Sequence, residues 1–202
     1  MKKILALSTV SLALASFALP AQAVKDHTLN LEFGIRFSNT QLDEGKTIPG
    51  LSINGSYLFK LYERQGFGFV VGPELYLAQS LRILYAENTN SYIPYKYVSE
   101  MRYHISDYGF GVKARLYVDL NTLQPYVGVA IGRAKNKVDV NVRLSDGSKY
   151  KYSDNTSSTY YALEAGLQVS NWNFSLRYDS SKYKFGEKNN FNTISVVTGY
   201  NF

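Results

Sequence analysis

Apolar residues alternate with polar or small residues in eight separate segments of this chain. A period of two is typical of a β-strand that has one apolar face. The last segment, residues 194–202, runs to the final residue and ends on an aromatic side chain. The other seven begin close to residues 29, 51, 67, 108, 127, 161 and 174. The sequence therefore predicts an all-β fold of eight strands.

The connections between these segments alternate between short and long. Residues 63–66, 121–124 and 171–173 are predicted to form tight turns. The other four connections are rich in Asn, Ser, Lys, Asp and Tyr and are predicted to be long loops, at roughly 39–49, 84–98, 145–158 and 180–190. Short turns at one end and long loops at the other are typical of an antiparallel up-and-down barrel that crosses a membrane.

The polar face of the predicted strands is rich in glycine and in charges of both signs. Small residues suit a narrow interior, and buried charges need partners of opposite sign. We therefore expect an ion-pair network inside a transmembrane barrel, with the apolar face toward lipid. The alternative is a soluble, lipocalin-like barrel whose apolar face lines a ligand cavity. The charged residues expected in the interior are Glu32, Arg36, Glu74, Lys113, Arg115, Glu164, Arg177 and Asp179.

The beginning of the chain has the features of a cleaved export signal. Two lysines precede an apolar or small stretch, residues 4–19, and Ala21-Gln22-Ala23 is a small-x-small cleavage site. We expect residues 1–23 to be removed and residues 24–202 to form one barrel domain. No other stretch approaches the ~20 consecutive apolar residues of a transmembrane helix. In a membrane, the chain would then have to be a closed barrel.

The end of the chain resembles the signal that the barrel-assembly machinery reads in bacterial outer-membrane proteins. The residues that carry this resemblance alternate along the last strand: Ile194, Val196, Thr198, Tyr200 and Phe202. With this terminal strand and the export signal, the chain resembles the small eight-stranded outer-membrane barrels of the OmpX, Ail, opacity-protein and OmpA-transmembrane type. The resemblance implies a monomer in the outer membrane that contacts lipid and lipopolysaccharide.

Some predicted strands continue beyond the ~10 residues that cross a bilayer. Alternation extends from Phe67 to Tyr85, and residues 138–144 extend the fifth strand. In the OmpX and Ail type, such extensions form a protruding sheet edge that contacts other proteins, although here they could instead only stiffen the loops. Another candidate contact surface, for host proteins or anionic glycans, is Lys149, Tyr150, Lys151 and Tyr152.

These features predict a non-enzymatic surface protein that acts in adhesion, host-factor binding or resistance to host defence, and in membrane integrity. Two alternatives remain open. His104-Ile105-Ser106 resembles the His-x-Ser spacing of lipid A deacylase barrels, in which His activates a Ser nucleophile. A small-solute channel would need a wet path past the interior charges. We expect no cofactor, no metal and no nucleic-acid partner, and the absence of cysteine excludes thiol chemistry.

Overall fold

The computed structural model describes residues 27–39, 47–85, 98–185 and 187–202. Each strand pairs antiparallel with its neighbours in sequence, and the first also pairs with the last, which closes the barrel. This confirms the predicted eight-stranded, all-β up-and-down barrel. No helix among the described residues is long and apolar enough to cross a membrane. The strands are β1 (His27–Asn39), β2 (Thr47–Arg64), β3 (Phe67–Tyr85), β4 (Val98–Val118), β5 (Leu123–Leu144), β6 (Lys149–Val169), β7 (Trp172–Phe185) and β8 (Glu187–Asn201).

Three tight turns lie at the same end of the barrel as the start of β1 and the end of β8, and we call this the turn end. The β2–β3 turn consists of Gln65 and Gly66, both with positive φ. The β6–β7 turn is equally short and contains Ser170 at a φ of 55°. These connections, together with residues 119–122, confirm the three predicted tight turns.

Two of the predicted long loops are wrong. Residues 149–158 belong to β6, which pairs with β5 up to the Arg143–Lys149 pair, so only residues 145–148 form the turn. Residues 180–185 and 187–190 likewise belong to β7 and β8, which pair up to Phe185 and Glu187. Their polar composition, which led to the loop prediction, is therefore compatible with paired strands. The other two predicted loops lie largely outside the described residues.

The barrel is taller on one side than on the other. The three strands β4, β5 and β6 contain 21, 22 and 21 residues, whereas β1 and β7 contain 13 and 14. We call the part of these three strands at the far end, residues 98–107, 132–144 and 149–160, the extension. The remainder of the barrel is the belt, whose exterior is covered by exposed apolar side chains such as Phe33, Leu75, Val129 and Leu176.

A pair of glycines makes room for a large interior side chain near the top of the belt. Gly111 and Gly132 are partners across β4 and β5. A Cβ atom built on either one would lie 2.5 Å from the phenol of Tyr160 and even closer to a backbone oxygen. Only glycine therefore fits there, and Tyr160 can extend across the interior toward the charged residues.

Candidate functional site

The centre of the belt interior holds a cluster of buried acids and bases. Lys113 Nζ lies 3.0 Å from Glu32 and 2.7 Å from Glu164. Arg115 contacts both of the same carboxylates, with its Nη2 at 2.8 Å from Glu164. Tyr126 donates a further hydrogen bond of 2.8 Å to Glu164. Every charge in this group has a partner of opposite sign, which offsets the large cost of its burial.

A second group continues the network toward the far end. Arg177 contacts Glu74, with Nη2 donating to Oε2 at 3.1 Å, and its Nε lies 2.9 Å from Asp179. Tyr160 donates to Glu74 at 3.0 Å. Lys113 links the two groups at 3.6 Å from Glu74.

The eighth expected residue, Arg36, lies apart and pairs with a carboxylate that the sequence reading missed. Its Nη1 lies 2.7 Å from Asp107, and its Nη2 donates to Thr193 at 2.9 Å. Asp107 lies on the same face of β4 as Lys113 and Arg115, so alternation along β4 could have placed it in the interior. Tyr126 lies on the same face of β5 as Gly128, and Tyr160 lies on the same face of β6 as Glu164, so alternation could have placed both tyrosines there as well.

Above the charges the interior becomes apolar. Six buried side chains fill the inside of the extension and the adjoining strands, and we call them the cap: Ile48, Tyr103, Ile105, Val138, Val140 and Phe191. Between the cap and the charges is a cavity of about 20 Å³, lined by Arg36, Asp107 and Tyr160 among others. This is room for one water molecule. A larger cavity of about 310 Å³ lies on the opposite side of the charge cluster, toward the turn end.

The extension has a free side. The β5–β6 ladder runs up to Lys149, whereas the β6–β7 ladder begins only at the pair Tyr161–Ser180. At the base of this gap the backbone N–H of Lys182 donates to Ser158 Oγ at 3.1 Å. Within the described residues, β6 beyond this point has a ladder with β5 alone, so one side of it is a sheet edge.

The structure separates the lysines and tyrosines of the predicted contact surface onto opposite faces. Lys149 and Lys151 share the exterior face with Tyr161, whereas Tyr150 and Tyr152 share the interior face of the extension and are opposite Val142 and Val140. Both tyrosines are nevertheless exposed, because β6 extends beyond the closed part of the barrel. A single ligand on one face would meet only one residue type.

His104 and Ser106 form a hydrogen bond on the exterior of the extension, with 3.0 Å between His104 Nε2 and Ser106 Oγ. Asp139 is the cross-strand partner of His104 but contacts Lys137 at 2.9 Å. Burial favours a higher pKa for the Asp139 carboxyl, but hydrogen bonds from Ser153 and Lys137 hold the pKa below its usual value. In the described ranges, no group of three or more His, Asp or Glu residues could hold a metal ion.

The last strand closes the barrel with aromatic contacts at the turn end. The ring of Tyr200 packs against Trp172 at 5.2 Å and against Phe202 at 4.8 Å. The backbone N–H of Phe202 donates to Leu29 O at 2.8 Å. Ile194, Val196 and Thr198 lie exposed on the same exterior face.

A closed antiparallel barrel with an apolar exterior and a charged, filled interior is a transmembrane β-barrel of the outer-membrane class. A family model described as "Outer membrane protein beta-barrel domain" matches residues 9–202, and the chain belongs to this family. The turn end is then periplasmic and the extension lies at the outer end. A search of curated proteins finds no match.

Solved structures share this fold at low sequence identity. Ail of Yersinia pestis is 16% identical, with 88% of this chain and 98% of that chain covered and a TM-score of 0.45. The outer membrane enzyme PagL is 10% identical, with 84% and 98% covered and a TM-score of 0.53. The protease OmpT of Escherichia coli is 6% identical, with 89% and 98% covered and a TM-score of 0.57. Because outer-membrane enzymes share this fold, the function has to be argued from the site.

Proposed function

We propose that this outer-membrane barrel acts through its extension in attachment, host-factor binding or resistance to host defence, and that it also supports membrane integrity. The observation that carries the proposal is the unequal pairing of β6, whose ladder with β5 continues for twelve residue pairs beyond its ladder with β7. A sheet edge in water offers backbone donors and acceptors to an added strand of a partner protein.

The tip of the extension adds a positive charge to this edge. Arg143 and Lys149 are cross-strand partners on the exterior face, and Lys151 follows on the same face. Lys149 and Lys151 are exposed. Such a surface attracts anionic host proteins and glycans over a Debye length of ~8 to 10 Å at physiological ionic strength.

Cells that express the protein should therefore attach to host cells and to surfaces coated with sulfated glycan. In the tip variant, Lys149→Gln with Lys151→Gln, we expect attachment to fall several-fold, and most strongly at low salt. The matched control, Arg133→Gln with Lys135→Gln, removes the same charge lower on β5 and should attach normally. Equal attachment by all three would contradict a role for the tip.

The edge itself needs a separate variant. Replacing residues 141–151 by Asn-Gly joins the cross-strand partners Val140 and Tyr152 through a two-residue hairpin turn and shortens the β6 edge. Loss of host-protein binding beyond that of the tip variant would support strand addition. Binding unchanged from that of the tip variant would restrict the function to charge.

A lipid-modifying enzyme is the second candidate, because His104 and Ser106 form a base–nucleophile hydrogen bond on the exterior near the outer rim. This reading predicts that expressing cells lose or gain an acyl chain on lipid A, and that His104→Ala and Ser106→Ala each abolish the change. Mass spectrometry of lipid A tests it. An unchanged lipid A profile, with normal attachment by both variants, would contradict the enzyme and support the binding role.

The filled interior disfavours a channel. The absence of ion current through the protein in planar bilayers would agree with this.

Export and assembly complete the proposal. Residues 1–23, which lie outside the described residues, act as a cleaved signal, and the exterior residues of the last strand from Ile194 to Phe202 are read by the barrel-assembly machinery. The mature chain should begin at residue 24, as N-terminal sequencing of the outer-membrane fraction would show. Phe202→Ala should reduce the folded, faster-migrating form on unheated gels without stopping export. Normal assembly of this variant would argue against the terminal signal.

A further inference from the structure

We propose a binding site for a neutral sugar in the larger interior cavity, which we call the turn-end cavity. Its volume is about 310 Å³. This is at the lower end of the ~300 to 1,000 Å³ that is typical of small-molecule pockets. Glu63, next to the β2–β3 turn, and Asp119, which follows β4, both line the cavity, so it opens at the turn end. Since the turn end is periplasmic, the opening faces the periplasm.

Two tyrosines on neighbouring strands form an aromatic wall of the turn-end cavity. Tyr117 of β4 and Tyr126 of β5 are cross-strand partners, and each also pairs with a glycine on its other side. A Cβ atom built on Gly68 would collide with the ring of Tyr117, and one built on Gly166 would lie 2.7 Å from Cζ of Tyr126. Each tyrosine therefore covers its glycine. The two rings extend in opposite directions along the wall and leave the middle of the barrel open.

The two rings have different surroundings. Arg115 stacks on Tyr126, with 4.5 Å between the guanidinium carbon and the ring centroid, and thus forms the inner end of the cavity. Tyr117 is only partly buried, and Lys60 donates a hydrogen bond to its hydroxyl, which fixes the ring near the mouth. The ring of Tyr117 is therefore the platform on which we place the sugar.

The charged groups around the turn-end cavity are already engaged within the protein. Arg115 contacts two carboxylates of the charge cluster. At the mouth, Lys60 pairs with Glu63. Asp119 accepts a hydrogen bond of 2.9 Å from the backbone N–H of Asn121. A charged ligand would have to compete with these partners, whereas a neutral ligand would leave them in place.

The uncharged polar groups of the lining suit a ligand with many hydroxyls. A pyranose ring has a face of C–H groups that packs against an aromatic ring, and hydroxyls at its edge that both donate and accept. Amide and hydroxyl side chains offer the matching donors and acceptors, and those that line the cavity are Thr28, Gln124, Gln168 and Asn201. An acyl chain would instead leave these groups without partners. The ligand that fits is thus a neutral sugar, either free in the periplasm or at the end of a cell-wall glycan.

The test uses the whole barrel folded in a zwitterionic detergent without a sugar headgroup, because a maltoside would compete for the site. Saturation-transfer NMR, with irradiation of the aromatic protons, detects sugars that touch the rings, and titration gives their affinity. The probes are glucose, N-acetylglucosamine, its β-1,4-linked disaccharide and the anionic sugar glucuronate. We expect transfer to the ring C–H protons of at least one neutral sugar and weaker binding of glucuronate.

Four variants assign the binding to the turn-end cavity. Tyr117→Leu removes the platform and should weaken binding roughly fivefold or more. Tyr117→Phe keeps the ring and should bind nearly as the wild type does. Val70→Trp fills the cavity from β3 and should abolish binding. The matched control, Tyr161→Leu, removes an exposed tyrosine from the exterior and should bind normally. Unheated gel mobility establishes that each variant is folded.

Three results would overturn the proposal: no transfer to any neutral sugar by the wild type, tighter binding of glucuronate than of glucose, or unchanged affinity in both Tyr117→Leu and Val70→Trp. Retention of the protein on isolated cell-wall sacculi, with release by the disaccharide, would support the site and assign it to the glycan. Binding of free sugars without retention would support the site and assign it to a free sugar. Failure of attachment to host cells would not affect these outcomes, because attachment depends on the extension at the other end of the barrel.

Discussion

The belt and the extension are formed by the same strands but have opposite polarity. In the belt, β5 directs Val127 and Val129 outward to lipid and its small residues inward to the charge cluster. In the extension, the same strand directs Lys137 outward and buries Val138 in the cap. The exposed fraction of the residue changes from 57% at Val127 to 1% at Val138.

This contrast shows that the surrounding solvent determines which face of a strand is apolar. Lipid surrounds the belt, so apolar side chains lie outside and polar groups inside must satisfy one another. Water surrounds the extension, so its interior is an ordinary hydrophobic core and its exterior is charged. The cap thereby closes the outer end of a barrel whose middle is filled by ion pairs.

The largest expected effect concerns the belt interior. Arg115→Ala should destabilise the barrel by ~3 to 5 kcal/mol, because it leaves part of the charge on Glu32 and Glu164 buried without a partner. Urea unfolding in lipid vesicles measures this. The control is Arg102→Ala, which removes an exposed partner of Glu100 in the extension and should cost under ~1 kcal/mol. Similar small effects for both would mean that water reaches Arg115.

A lysine placed on the exterior distinguishes the two regions directly. Val129→Lys puts a charge against lipid and should cost ~2 to 4 kcal/mol if residue 129 lies near the bilayer midplane. Asn155→Lys puts the same charge on the exterior of the extension, where it should change stability by less than ~0.5 kcal/mol. If both substitutions lower the free energy of unfolding in vesicles equally, the exteriors of the belt and the extension do not differ in their surroundings.

Shortening a valine on each face tests the cap. Val138→Ala removes buried methyl groups and leaves a cavity, so we expect a loss of about 2 kcal/mol. Val127→Ala removes the same groups from the lipid face, where acyl chains fill the space, and should cost less than half as much. Hydrogen exchange should show the loss for Val138→Ala first in the extension. Faster exchange throughout the belt instead would mean that the cap is not a separate core.

A smaller effect is expected from acid in the extension. The lowered pKa of Asp139 means that its ionised form stabilises the fold above the ordinary carboxyl pKa of ~3.9, and that this contribution is lost as the pH falls through the lowered value. The hydrogen-exchange protection factors of residues near Ser153 and Lys137, which correct for the intrinsic rate at each pH, should therefore fall below about pH 4. Asp139→Asn should remove this pH dependence. If the pH dependence persists in that variant, another group causes it.

Much of the belt could be predicted from the sequence, because a period of two identifies strands and places Lys113 and Arg115 on the same face of β4. The particular pairs could not be predicted, since Arg36 and Asp107 meet across the barrel from β1 and β4. The strand over residues 149–158 was missed because its polar residues resemble those of a loop. The cap had a signal that was not used: the apolar positions of β5 change from odd at Ile131 to even at Val138, which marks the boundary between lipid and water.

Single cysteines along β5 test this inversion most directly, because the chain contains no cysteine of its own. Val129→Cys, Lys137→Cys and Val138→Cys would each be treated on intact cells with a water-soluble maleimide. We expect labelling of residue 137 alone, with residue 129 shielded by lipid and residue 138 shielded by the cap until the protein is unfolded. Labelling of residue 129, or of residue 138 as readily as residue 137, would contradict an exchange of the apolar face at the outer rim.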